Sequence, residues 1–183
     1  MKNIFLLFGL AICLTSFGQE KTSELNKVLR INALSPGVEI ELPIFKRSTI
    51  AANAGLGIQG SYRNMDNTGS GVTYFIAPFL DLSYKNLYNR DKRASKGKST
   101  DYNSGNYWGV RLLTHFKEVS AKNIMRNDNT SFAFGPTWGI QRGYGKFHFQ
   151  LDLGPVIYFN TQGDIGFFPL APQLNIGFNA LKW

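Results

Sequence analysis

The chain has almost no cysteine: one in 183 residues, Cys13, inside an apolar N-terminal run. With no second thiol, neither a disulfide framework nor a cysteine-rich metal site can be built. Ile12 precedes Cys13 where a lipoprotein signal needs a small residue, so acylation there is excluded. Histidine is nearly as scarce, with only His115 and His148. Neither belongs to a metal-ligand spacing, and no Gly-x-Ser-x-Gly elbow is present. After residue 20 every apolar stretch is broken within a few residues by Gly, Asn, Gln or a charge. None approaches the roughly 20 residues of a transmembrane helix. Acidic residues are few as well, 12 against 20 Lys and Arg, a net charge of +8. The basic residues are scattered rather than gathered on one face, which argues against a nucleic-acid surface.

What is present begins with an export signal. Lys2 forms a short positive region, Ile4 to Leu14 an apolar run of 11 residues, and Ser16 and Gly18 are small residues ahead of Gln19. That order predicts a signal peptide over 1–19. A short periplasmic segment over 20–26 and a single domain over 27–183 follow. Without Lys2 the net charge is +7 (19 basic less 12 acidic).

The domain alternates with period two. In 147–159 the residues Phe147, Phe149, Leu151, Leu153, Ile157 and Phe159 interleave with His148, Gln150, Asp152 and Gly154. Phe132, Phe134, Trp138 and Ile140 alternate with Ser131, Gly135, Thr137, Gly139 and Gln141. Phe168, Leu170, Leu174, Ile176 and Phe178 alternate with Ala171, Gln173, Asn175 and Gly177. Segments 49–63, 72–88 and 106–117 behave alike, with Ile50, Leu56, Leu82, Trp108 and Val110 on the apolar side. A soluble sandwich also alternates, but its strands usually run 5–6 residues. These are longer than the ~9–11 residues that cross a bilayer, and their second face is rich in Gly, Asn, Gln and Thr. Tyr62, Tyr74, Tyr84, Tyr88, Trp108 and Tyr144 fall near strand ends, where aromatic girdles sit.

Segment 28–45 keeps one phase only if it is divided. Ser35-Pro36-Gly37-Val38 offers Pro and Gly for a tight turn. Dividing there places Leu29, Ile31, Val38, Ile40 and Leu42 outward and Arg30, Glu39 and Glu41 inward; a single bulged strand is the alternative. The count becomes eight, and the fold class expected is all-β, an eight-stranded antiparallel transmembrane β-barrel. The signal, the eight segments, the end at Trp183 and the stretch Tyr88-Asn89, Arg93, Lys96-Gly97-Lys98 and Asn103-Ser104-Gly105-Asn106-Tyr107 resemble small outer-membrane barrels of the OmpX and OmpW kind. The resemblance implies residence in the outer membrane of a Gram-negative cell, in contact with its lipid. Trp183 is out of phase with Phe178, so a bulge is expected near the C-terminus.

The inward positions carry Arg30, Arg63, Lys85 and Arg111 against Glu39, Glu41, Asp81 and Asp152. Four of each sign suit a plugged lumen better than a selective pore, and Arg111 is expected to bridge Asp81 and Asp152. His115 and His148 fall at opposite ends of the lumen and share no site. Thr114, the only hydroxyl beside His115, points away from it. No catalytic, cofactor or metal site is expected. Segment 89–105, with Arg90, Lys92, Arg93, Lys96 and Lys98, reads as a solvated periplasmic turn, or as a contact for anionic headgroups or an envelope partner. Loop 117–129 is the expected contact for an extracellular partner. The reading is a monomeric, non-enzymatic structural or adhesion-type protein. A narrow passage or binding site for a small hydrophobic molecule comes next, and a lipid-modifying enzyme last.

Overall fold

The structure is a computed structural model that describes residues 24–59, 74–122 and 128–183. The expected signal peptide, Tyr62, Arg63 and the centre of loop 117–129 lie outside the described residues. The strands are β1 (Val28–Asn32), β2 (Gly37–Phe45), β3 (Ser48–Gln59), β4 (Tyr74–Asn86), β5 (Gly105–His115), β6 (Ser120–Lys122), β7 (Ser131–Tyr144), β8 (Phe147–Asn160) and β9 (Ile165–Lys182). A helix α1 (Arg90–Ser95) and a 3-10 turn (Asp101–Asn103) lie between β4 and β5.

Among the described residues all nine strands are antiparallel in one sheet. Because β3 pairs with β4 and β1 with β9, eight of them close into a ring in the order β1-β2-β3-β4-β5-β7-β8-β9. The ninth, β6, continues the line of β5: Tyr74–Ile76 pair with it and Phe79–Asn86 with β5. Part of segment 117–129 thus belongs to the wall rather than to a loop.

The hairpin between β7 and β8 turns on Gly145-Lys146, with Gly145 at φ 58°. Its register joins Tyr144 to Phe147, Gln141 to Gln150 and Trp138 to Leu153. A two-residue turn with positive φ matches the twist of the strands it joins. Segment 28–45 is two strands around a turn at 33–36, with Asn32 opposite Gly37. Five residues in β1 reach only about 17 Å at 3.3–3.4 Å each. The β1–β2 hairpin therefore stops well below the far end of the ring.

Two bulges change faces in β9. Val156 pairs with Phe168 while Gly154 pairs with Ala171, so β9 carries an extra residue there. Ile165 and Phe167 are consequently exposed, and Phe168 shares the inner face with Val156. This corrects the outward assignment of Phe168: Pro169 and Pro172 flank a place where the ladder already lacks donors. Near the C-terminus Arg30 pairs with Asn179 but Leu29 with Leu181, which leaves Ala180 as the bulged residue. Beyond it Leu181 and Trp183 are exposed like Phe178.

Burial is inverted relative to a water-soluble fold. Arg30, Glu41, Lys85, Gln141 and His148 are at most 1% exposed, whereas Val38, Trp108, Phe134, Trp138, Ile157, Leu170 and Phe178 are 42–56% exposed.

Candidate functional site

The closed interior holds two linked polar clusters. In the first, Arg30 bonds Glu39 at 2.6 Å and Glu41 at 2.5 Å, and its Nε donates to the Asn179 side chain. These residues meet because Arg30 lies opposite Glu39 in one hairpin and Asn179 in the neighbouring strand. Thr49 donates to Glu41 at 2.6 Å, and Gln141 donates to its other oxygen at 3.0 Å. Lys85 reaches across to Gln141 and Gln150 at 3.0 and 2.9 Å, and stands 3.6 Å from Glu39. Every carboxylate here has a cationic or hydrogen-bonding partner, as groups withdrawn from water require.

The second cluster lies farther along the strands. Arg111 holds Asp81 through Nε at 2.9 and 3.0 Å and through Nη2 at 2.9 Å. Gln173 adds a bond of 3.3 Å to the same carboxylate. The expected bridge from Arg111 to Asp152 is not formed. Asp152 accepts instead from the Tyr107 hydroxyl at 2.8 Å and from Gln150 at 2.9 Å. The Arg111 fork is already engaged by Asp81 through Nε and Nη2. Tyr107 was missed by sequence reasoning because an aromatic on a polar face breaks the alternation. The signal lay in the facing strand: Tyr107 is paired with Gly139, where a Cβ would stand 2.6 Å from its ring. His148 sits between Gly143 and Gly177 in register and is fully buried, with no hydrogen bond to either ring nitrogen among the described residues. Of the eight inward charges read from sequence, seven lie in these clusters, and Arg63 is outside the described residues.

Segment 87–104 closes one end of the ring. Arg90, called part of a solvated turn, is 2% exposed; it donates to the carbonyls of Thr100 and Glu24, each at 2.6 Å. Burial lowers its pKa, and the nearby charges of Glu41 and Asp91 oppose that shift. The buried side chain of Asn103 exchanges two bonds with the backbone of Asn26, at 2.8 and 2.9 Å. Tyr102 and Asn103 both have positive φ, 51° and 59°, and their carbonyls accept from Gln141. The physical reason for the correction is length: eighteen residues can fold back over the opening, whereas a tight turn cannot. Lys92, Lys96 and Lys98 are exposed, and Arg93 is half-buried with bonds to the Ser99 carbonyl.

At the other end a cavity of about 350 Å³ lies above Arg111, lined by Phe79, Leu113, Ala133, Val156, Asn53 and Gln173 among others. His115 lines it too, far from His148, which belongs to the closed end. Among the described residues no group of three His, Cys, Asp or Glu could hold a metal ion. No family model, curated protein or solved structure matches the chain.

Proposed function

We propose that this chain is a monomeric outer-membrane β-barrel with a blocked lumen, serving a structural or adhesion role rather than conducting solutes. The observation that carries the reading is the inversion of burial: apolar side chains cover the outside of a closed ring, and paired charges fill the inside. In water such an exterior would be an apolar surface far larger than the few hundred Å² a soluble monomer exposes. In lipid it is the favourable arrangement, because a closed ring leaves its paired backbone groups satisfied. Eight strands enclose little more room than side chains fill, and the Arg30 and Arg111 clusters block it below the cavity at the far end.

The aromatic residues agree with a headgroup belt at the closed end. Trp138 donates to the Tyr88 hydroxyl at 3.0 Å, Tyr84 and Trp108 rings lie 6.0 Å apart, and Tyr144 is 66% exposed. Chain ends on that side would be periplasmic, with residues 117–122 and the 161–164 turn outside the cell. Reconstitution into planar bilayers tests the blocked lumen: no steady ionic current is expected. A stable conductance step would refute it.

A further inference from the structure

Four junctions meet at the closed end: the 46–47 turn between β2 and β3, segment 87–104 between β4 and β5, the Gly145-Lys146 turn between β7 and β8, and the chain ends beside β1 and β9. Each presents exposed lysine. Lys46, Lys146 and Lys27 stand at the three short junctions, and Lys92, Lys96 and Lys98 in the segment. Among the described residues none of these six makes an ion pair. The acids of that end are mostly spent: Asp91 holds Arg47 at 2.6 Å and Asp101 holds Lys182 at 3.0 Å, which leaves Glu24.

Charge alone does not choose a partner, but the neighbours of these lysines do. Lys46 follows Phe45, and Lys146 lies between Tyr144 and Phe147. Lys27 exchanges two backbone bonds with Trp183, each at 3.1 Å. All four aromatics are exposed. A lysine beside an outward aromatic can lay its stem along the apolar wall and hold its ammonium at headgroup level. A polymer beneath the closed end would meet the segment's lysines and leave these rim pairs unused. At the far end Lys117 also follows an exposed aromatic, Phe116, but Glu118 stands beside it.

Successive junctions lie two strands apart, about 10 Å at 4.7–4.9 Å per strand. That exceeds the ~8 Å screening length at physiological salt, so each lysine acts on the headgroup next to it. We propose that the closed end is a cationic rim that binds anionic phospholipid, with a site beside each junction. The proposal rests on the membrane reading.

The test uses the full mature protein in phosphatidylcholine bilayers carrying a trace of chain-labelled lipid, either phosphatidylglycerol or phosphatidylcholine. Electron paramagnetic resonance separates lipid held against the protein from free lipid. One lysine at an anionic surface is worth roughly a factor of five, and only wall positions at the closed end have one. Phosphatidylglycerol should therefore be held about threefold more strongly on average, with most of the excess lost in 1 M salt. Lys27→Gln, Lys46→Gln and Lys146→Gln together should bring it close to phosphatidylcholine, whereas Lys117→Gln with Lys122→Gln should leave it unchanged. Heat-modifiable migration reports folding of each variant. Equal retention of the two lipids, indifference to the triple change, or equal loss in the far-end pair would overturn the proposal while the membrane reading stands. Absence of a held component for either lipid would overturn both. Cosedimentation with isolated peptidoglycan, lost in the triple variant and unaccompanied by lipid selectivity, would reassign the rim to the wall polymer and overturn the lipid site.

Discussion

Arg30 is fully buried between Glu39 and Glu41 and also donates to Asn179. Removing it leaves two like charges side by side in a poorly hydrated space. Arg30→Ala should therefore cost about 3–5 kcal/mol, read as a lower urea midpoint for the detergent-solubilised protein. Arg30→Lys should recover only part of that, since an ammonium cannot serve two carboxylates and an amide through one planar fork. Asp81→Asn and Arg111→Ala should combine less than additively, because each removes the same paired contact; additive losses would show that the pair is not coupled. Gly139→Ala places a Cβ 2.6 Å from the Tyr107 ring, and should cost about 1–3 kcal/mol. Trimming the ring with Tyr107→Leu should recover only part of that loss, because the Asp152 Cβ, 2.7 Å from the same point, must still move.

Most inward residues of this network could be read from the sequence, because opposite environments on the two faces of a strand impose a period of two. Tyr107 could not, since its place depends on a glycine in another strand. The same limit applies to whole elements. The β7–β8 hairpin was legible from Gly145-Lys146 and the alternation on either side. The extra residue opposite Val156 was not: alternation resumes after a bulge, and only the ladder reveals the change of face. Segment 87–104 was the least legible, because its decisive bonds run to Glu24 and Asn26, 66 and 77 residues away. Those bonds tether the chain before β1. Asn103→Ala should free it, speeding trypsin cleavage after Lys27 while the ring keeps its heat-modifiable migration. Unchanged cleavage would mean that the bond from Lys27 to the Trp183 carbonyl suffices.

Among the described residues outside the two interior clusters the charges sort by position. The closed end carries Lys27, Lys46, Arg47, Arg90, Lys92, Arg93, Lys96, Lys98, Arg142, Lys146 and Lys182 against Glu24, Asp91 and Asp101. The described part of the far end has Lys117 and Lys122 against Glu118, Asp128 and Asp164. In intact cells an impermeant thiol reagent should label Ser120→Cys and spare Ser95→Cys; the reverse would invert the topology. The central claim is that the outer face of the ring meets lipid. Cys13 is the chain's one cysteine, so in a Cys13→Ser background single cysteines for spin labels can be placed at will along β8. In nanodiscs, labels at Leu151, Leu153 and Ile157 should collide readily with oxygen and rarely with a water-soluble nickel complex, and labels at Gln150, Asp152 and Gly154 with neither. Free collision of the nickel complex at the three outer positions would contradict the membrane assignment.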